Sequence, residues 1–195
     1  MGLLDEDTVA WVEPNDDPKK KLKLAWRIAE LSTGALVLVD TVHANRIVKE
    51  ALTNNKIPEF ADQDFRPEVK YGEGSRIDFL LTDQSAQQTF VEVKSVTLSR
   101  EAGSAEFPDS VTVRGTKHLL ELSKVVEQGH RAVMFYLVNR TDCDVFSIAA
   151  DIDPNYAAAL DAAQRAGVEV IAYRADISPN RITLGPRVAF NSADR

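Results

Sequence analysis

The chain has 195 residues, which fits one full domain with at most a small appendage, and its 44% hydrophobic and 27% charged content argues against disorder. The formal net charge of −7 on its own disfavours a nonspecific nucleic-acid binder, because such proteins need basic surface to release counterions. The charge is uneven, however: the stretch 19–56 is rich in lysine and arginine, so the chain can still carry one basic face.

The first part of the chain is predicted to contain three strands and a helix. Residues 8–13 have the composition of a short strand, and a turn-forming Pro-Asn-Asp-Asp-Pro segment follows. Large apolar residues occupy every second position of residues 22–28, which favours a strand with one buried face. Residues 35–40 are a short apolar run that predicts a strand. Residues 43–53 predict a helix, whose apolar stripe consists of Ala44, Ile47, Val48, Ala51 and Leu52.

Three strands in succession are predicted next. They span residues 65–71, 75–81 and 89–98, and the connecting segments 72–74 and 82–88 have the composition of turns. Because short turns join successive strands, we expect the three to be antiparallel neighbours.

The last part of the chain alternates helices with strands. Residues 113–128 predict a helix, and the continuous apolar run 131–138 predicts a strand that is covered on both faces. An Asp-Pro pair opens a third helix over residues 153–166. Residues 168–172 and a hairpin at 181–189 complete the sheet. The fold class is therefore α/β, with a mixed sheet flanked by helices.

Two of the central predicted strands carry acids among apolar residues. Asp78 lies in Arg-Ile-Asp-Phe-Leu-Leu, and Glu92 and Lys94 share one strand face because side chains in a strand repeat every two residues. If the two strands are neighbours, Asp78 lies close to Glu92. The same pattern is also typical of a structural salt bridge, since Glu and Lys alternate on many solvated strands.

Two close carboxylates repel each other and are costly to desolvate, which a divalent cation relieves. Their hard oxygen ligands suit Mg²⁺ or Mn²⁺. Asp78, Glu92 and Lys94 would then form a catalytic set for metal-assisted phosphodiester hydrolysis. Glu50 of the predicted helix is a candidate further ligand or supporting group, and it shares a helix face with His43 and Arg46.

Several basic residues are candidates for nucleic-acid contacts. The densest run of basic residues consists of the four lysines in residues 19–23, which form either a solvated strand edge or a phosphate-binding segment. Arg76, Arg114 and Lys117 fall near the inferred site, while His118 is either a phosphate contact or a packed structural histidine. The candidates are Lys19, Lys20, Lys21, Lys23, Arg46, Arg76, Arg114 and Lys117.

Neither a disulfide nor a membrane span is predicted. Cys143 is the one cysteine, which rules out an internal disulfide and a cysteine-based zinc site within one chain. No run of about 18 apolar residues is present, and the residues after Met1 lack the features of a signal peptide. These features predict a cytoplasmic protein.

A longer set of motifs gives the chain a family resemblance. The motifs are Val39-Asp40-Thr41, Ala44-Asn45-Arg46, Glu68-Val69-Lys70-Tyr71-Gly72, Ser75-Arg76-Ile77-Asp78-Phe79, Val91-Glu92-Val93-Lys94-Ser95-Val96-Thr97-Leu98, Phe107-Pro108-Asp109, Arg114-Gly115-x-Lys117-His118-Leu119-x-Glu121-Leu122, Gly129-x-Arg131-Ala132-Val133 and Ile152-Asp153-Pro154. In these stretches the chain resembles the sugar fermentation stimulation protein A (SfsA) family, and the resemblance runs from about Asp7 to the end.

The resemblance implies both a fold and a function. It implies a small OB-like β domain, of which residues 1–35 would be a remnant, followed by a restriction-endonuclease-like PD-(D/E)xK domain over residues 36–195. Asp78, Glu92 and Lys94 would be the nuclease-type motif, with Glu50 as the helix acid. Family members are described as nonspecific DNA-binding proteins linked to the regulation of sugar (maltose) metabolism. The implied partner is DNA, without a membrane, and a homo-oligomer is left open.

The chain departs from the family pattern in two ways. The family begins with a further segment that makes most of the OB-like domain and is not in this sequence, which we expect to reduce single-strand binding. Thr116 stands where the family usually has Gln. Three hypotheses follow: a nonspecific DNA-binding protein with a nuclease-like metal site, an active Mg²⁺- or Mn²⁺-dependent DNA nuclease, and an RNA-processing nuclease.

Overall fold

Three β-sheets and three α-helices make up the part of the chain that the computed structural model describes, which is residue 3 and residues 6–19, 21–72 and 74–191. In chain order the elements are β1 (Val9–Pro14), β2 (Leu24–Glu30), β3 (Leu36–Leu38), α1 (Val42–Thr53), a 3₁₀ turn (Pro58–Phe60), β4 (Asp64–Tyr71), β5 (Ser75–Thr82), β6 (Gln88–Val96), β7 (Leu98–Glu101), β8 (Gly103–Phe107), α2 (Val113–Glu127), β9 (Arg131–Val138), β10 (Cys143–Ile148), α3 (Pro154–Ala166), β11 (Glu169–Ser178), β12 (Arg181–Arg187) and β13 (Ala189–Asn191).

The largest sheet has six strands in the order β12-β11-β9-β6-β5-β4. The three strands β4, β5 and β6 are antiparallel neighbours, whereas β6, β9 and β11 run parallel. The prediction of a mixed α/β sheet is therefore confirmed, including the antiparallel arrangement of its three successive strands.

Helices cover both faces of this sheet. On one face α1 buries Ile47 and Val48 against Phe79 and Val91. On the other face α2 and α3 pack against the second row of side chains from β6 and β9. Strand β9 is buried on both faces, as its continuous apolar run predicts. The three predicted helices are confirmed within about one residue at each end.

The N-terminal strands β1, β2 and β3 form a separate antiparallel sheet. Residues 22–28 were predicted to be a strand with one buried face. Trp26 and Ile28 of that face do pack inward, whereas Leu22 and Leu24 are 75% and 55% exposed. Only the later part of β2 packs inward, through Ile28 and Ala29. The division at residue 35 stays a prediction; β3, which begins at Leu36, belongs to this first sheet.

A third sheet, in the order β13-β10-β8-β7, was not predicted. The strand predicted over 89–98 ends at Val96, and the chain then turns into the hairpin of β7 and β8. Ala105 and Phe146 of this sheet are fully buried against the α2 side of the core. None of the helices in the described part of the chain has the length and apolar character that crossing a membrane requires.

Candidate functional site

The candidate site begins where β5 and β6 separate. Their antiparallel pairing ends at Phe79 and Val91, although both strands continue. Beyond that point Oδ2 of Asp78 accepts a hydrogen bond from the backbone N–H of Val93 at 2.7 Å. The other carboxylate oxygen, Oδ1, accepts a hydrogen bond from Nδ2 of Asn45 on α1, also at 2.7 Å. Asp78 is therefore fixed between a strand backbone and a helix side chain.

Glu92 and Lys94 meet a histidine on the α2 side of β6. Nζ of Lys94 lies 2.9 Å from Oε1 of Glu92, and Nδ1 of His118 contacts the same oxygen in a short hydrogen bond. His118 is only 3% exposed and Glu92 is also 3% exposed. Oε2 of Glu92 is buried and has no hydrogen-bond partner among the described residues. One carboxylate oxygen thus receives two donors while the other is left without any.

The pKa values of Asp78 and Glu92 are shifted in opposite directions. Burial, together with the negative charge of Glu92, raises the pKa of Asp78 to about 6, although the hydrogen bonds from Val93 and Asn45 oppose this change. Burial also acts to raise the pKa of Glu92, but the hydrogen bond from His118 and the charge of Lys94 outweigh it and hold that pKa below its usual value. Glu92 is therefore charged, and its charge disfavours ionisation of Asp78.

A second buried acid and a tyrosine extend the cluster. Glu121 of α2 is 5% exposed, and neither of its carboxylate oxygens has a hydrogen-bond partner in the described part of the chain. Nζ of Lys117 lies 3.7 Å from its Oε1. Burial and the nearby carboxylates of Glu92 and Glu121 raise the pKa of Tyr71 far above its usual range. The region around Tyr71 is thus strongly negative.

A cavity of about 830 Å³ opens over Asp78 and Lys94. Its α1 wall includes Asn45 and the cationic side chains of Arg46 and Lys49. Two further acids, Glu68 and Asp109, line the same cavity, which is large enough for a phosphodiester segment.

The structure places Glu50 away from this cluster, which corrects the prediction that it is the helix acid of the site. Glu50 is exposed and does not line the cavity. It lies five residues after Asn45, about 140° around the helix, because each residue of an α-helix turns by about 100°. The helix side chain that reaches Asp78 is therefore the amide of Asn45.

The other predicted site residues divide into two groups. Arg46 lines the cavity, and Arg114 joins the cluster because its Nε lies 3.4 Å from Nε2 of His118. The other predicted nucleic-acid contacts among the described residues do not line the cavity. Arg76 is exposed on β5, and Lys117 contacts Glu121. Three lysines are exposed between β1 and β2. These three are Lys19, Lys21 and Lys23, while Lys20 lies outside the described residues.

Three residues of the cluster were not assigned to it from the sequence. His118 was left between a phosphate contact and a packed histidine, and Asn45 and Glu121 appeared only within family motifs. The one available signal was the helical spacing of Arg114, His118 and Glu121, which puts them on one side of α2. Nothing in the spacing shows that this side faces Glu92.

Comparisons with known proteins agree with one another. The family model described as the sugar fermentation stimulation protein RE domain matches residues 42–181, which include every residue of the cluster. A sugar fermentation stimulation protein homolog of Ruegeria sp. (strain TM1040) is 56% identical over 186 residues, covering 95% of this chain and 80% of that protein. A homolog of Paramagnetospirillum magneticum (strain ATCC 700264 / AMB-1) is 46% identical over 196 residues, covering 100% and 82%.

A solved structure is also similar. The structure of Pyrococcus furiosus SfsA in complex with Ca²⁺ superimposes with a TM-score of 0.83 and 26% identity. The match covers 92% of this chain and 76% of that one.

Proposed function

This chain belongs to the sugar fermentation stimulation protein family, and we propose that it binds DNA without sequence preference through a site that holds a divalent cation beside Lys94. The observation that carries the proposal is the buried Oε2 of Glu92, which has no partner among the described residues. A buried carboxylate oxygen without a hydrogen bond is costly. A link to the regulation of sugar (maltose) metabolism is part of the same proposal.

The residues present fit a divalent cation. Asp78 and Glu92 supply two hard oxygen ligands, and a cation between them would offset the repulsion that raises the pKa of Asp78. No group of three or more His, Cys, Asp or Glu suited to a metal occurs among the described residues. Mg²⁺ and Mn²⁺ suit such a site, because Mg²⁺ is commonly held by one or two carboxylates, with water and phosphate oxygens completing its shell. The Ca²⁺ in the Pyrococcus protein supports the same ligand chemistry.

The chain's own cations would bind and orient the DNA backbone. Lys94 lines the cavity beside Asp78, and Arg46 and Lys49 line its α1 wall. Lysine and arginine contacts to phosphate confer affinity without reading the base sequence, which agrees with nonspecific binding. Three cations line the cavity together with the acids Glu68, Asp78 and Asp109, so a divalent cation bound at Asp78 would be needed to make the cavity attractive to phosphate.

Hydrolysis of the bound phosphodiester is the second candidate function. A divalent cation at this position would polarise a phosphoryl oxygen and make water a better nucleophile. The proximity of Asp78, Glu92 and Lys94 favours this function, because a lysine beside a cation held by two carboxylates could stabilise the charge that develops on the phosphate during hydrolysis. Lys94 would hold the phosphate and stabilise its developing negative charge.

Binding of fluorescein-labelled single- and double-stranded DNA, measured by anisotropy, tests the proposal. The wild-type protein is compared with Asp78→Asn and Glu92→Gln, in Ca²⁺ and in EDTA. We expect Ca²⁺ to strengthen binding by the wild type but not by either variant. Glu127→Gln is a matched control, because Glu127 is exposed at the end of α2. Wild-type binding that is absent, or that ignores both Ca²⁺ and salt, would contradict the proposal.

A further inference from the structure

A chain of side-chain contacts leads from the surface of α2 to Glu92. Nε of Arg114 lies 3.4 Å from Nε2 of His118, and Nδ1 of the same ring contacts Oε1 of Glu92. Arg114 and His118 are four residues apart, so both project from one face of the helix. Arg114 is exposed whereas His118 is buried, so the contacts run from the outside of the helix inward.

The donors in this chain determine where the imidazole proton lies. The guanidinium of arginine can only donate, so Nε2 of His118 must accept from Arg114. The proton of the neutral ring then lies on Nδ1, where it is donated to Oε1 of Glu92. Nζ of Lys94 lies 3.3 Å from Nδ1 because both groups donate to that one oxygen.

The orientation of the Glu92 carboxylate follows from these contacts. Oε1 receives the Nδ1–H of His118 and an N–H of Lys94, whereas Oε2 is buried with no partner in the described part of the chain. Rotation of the carboxylate would break both hydrogen bonds. His118 and Lys94 together therefore fix the direction in which the second carboxylate oxygen of Glu92 points.

We propose that His118, in the Nδ1–H form that both of its contacts favour, is a positioning residue that turns Oε2 of Glu92 toward the cation. This inference rests on the proposed function, since it concerns the same cation. Neither His118 nor Glu92 lines the cavity, so His118 acts through the orientation of the buried Glu92 carboxylate and does not touch a substrate. Supporting groups of this kind commonly change metal affinity by about 10- to 100-fold.

The geometry separates a positioning role from simple packing. The amide nitrogen of asparagine occupies about the position of Nδ1, and that of glutamine about the position of Nε2. We expect His118→Asn to keep the hydrogen bond to Glu92 and to bind Ca²⁺ within about threefold of the wild type. His118→Gln and His118→Phe keep bulk in the core but lose the donor, so we expect them to bind Ca²⁺ about 10- to 100-fold more weakly.

Isothermal titration of the full chain with Ca²⁺ alone measures these affinities, and circular dichroism confirms that each variant is folded. If a variant at the buried His118 does not fold, Arg114→Met replaces it in the measurement, because Arg114 is exposed. We expect Arg114→Met to weaken Ca²⁺ binding less than His118→Phe does. Asp78→Asn identifies the binding event as the one at this site. His130→Asn, on a histidine outside the cluster, is the control.

A nitrogen-15 NMR spectrum of the histidine rings gives a readout that needs no metal. We expect the Nδ1–H form of His118 in the wild type. In Arg114→Met we expect the Nε2 signal to move, because that nitrogen loses its donor, while Nδ1 keeps its proton against Oε1 of Glu92. An Nε2–H form in the wild type, or Ca²⁺ binding by His118→Phe equal to that of the wild type, would overturn the positioning role alone. Wild-type protein that binds no Ca²⁺ sensitive to Asp78→Asn would overturn both this role and the proposed function.

Discussion

Asp78 accepts a hydrogen bond from the backbone N–H of Val93 (2.7 Å) at a point where their two strands no longer pair with each other. The carboxylate therefore takes the place of a carbonyl oxygen in the strand ladder. This satisfies a backbone donor that the separation of β5 and β6 would otherwise leave open. It also creates the site, because the gap between the strands is where Lys94 and Asp78 line the cavity.

The raised pKa of Asp78 makes stability depend on pH in a defined direction. Its pKa is about 6 in the folded protein against a usual value of 3.8, so the folded state binds this proton more tightly than the unfolded state. The contribution is present below about pH 4 and is lost as the pH rises through 6, by at most about 3 kcal/mol. We expect urea unfolding in EDTA to show that the stability of the wild type relative to Asp78→Asn falls over this range.

Asp176→Asn is the control for this measurement, since Asp176 is an exposed acid on β11. This variant keeps Asp78, so its stability should show the same fall relative to Asp78→Asn as that of the wild type. A wild-type stability that rises relative to Asp78→Asn over the same range would show that Asp78 is ionised more readily in the folded state than its surroundings indicate.

Glu121→Gln should stabilise the protein. Glu121 is a buried acid whose oxygens lack hydrogen bonds among the described residues, and the contact with Lys117 is long at 3.7 Å. An amide costs less to bury than a carboxylate, and we expect a gain of about 1–2 kcal/mol in the free energy of unfolding. Urea unfolding in EDTA at pH 7 measures the gain, with Glu127→Gln as the exposed control. A destabilised Glu121→Gln variant would indicate instead that the carboxylate has a strong partner.

Arg46 and Lys49 should each contribute one phosphate contact. The logarithm of the DNA association constant falls with the logarithm of salt concentration, with a slope of about −0.9 for each phosphate neutralised on duplex DNA. We expect Arg46→Ala and Lys49→Ala each to reduce the slope by about one, with little change in preference among base sequences. Lys124→Ala, at the exposed end of α2, should leave the slope unchanged. Unchanged slopes in both cavity variants would place the DNA elsewhere.

The sequence predicted the elements that have regular patterns. The apolar stripe from Ala44 to Leu52 has the period of a helix, and β9 is one continuous apolar run. Both elements form as expected. The sheet containing β7, β8, β10 and β13 has no such pattern, because its strands have three to six residues and several polar positions. Their pairing depends on the tertiary fold, which a local pattern does not show.

The candidate site divides in the same way. The two-residue period of a strand was enough to predict that Glu92 and Lys94 share one face. The turn between two antiparallel strands was enough to predict that Asp78 lies close to Glu92. Asn45 and His118 could not be placed in this way, because each reaches the cluster from a helix whose rotation about its axis is set by packing. The prediction of Glu50 was wrong for that reason: the helix was found correctly, but the side facing Asp78 is the one that carries Asn45.

Lys94→Met separates DNA binding from DNA hydrolysis. Nζ of Lys94 lies 2.9 Å from Oε1 of Glu92, and the residue lines the cavity in which we propose that the phosphate binds. If the chain hydrolyses DNA, loss of the Lys94 charge should reduce Mn²⁺-dependent cleavage by about 10²- to 10³-fold. Binding in Ca²⁺ should fall by only a few-fold, since Arg46 and Lys49 remain.

To measure this, purified wild type and Lys94→Met are incubated with linear DNA and Mn²⁺, with Lys124→Met as the control. Cleavage that persists in Lys94→Met would come from another site or a contaminant, while a wild type that binds DNA and does not cleave it leaves DNA binding as the function of the cluster.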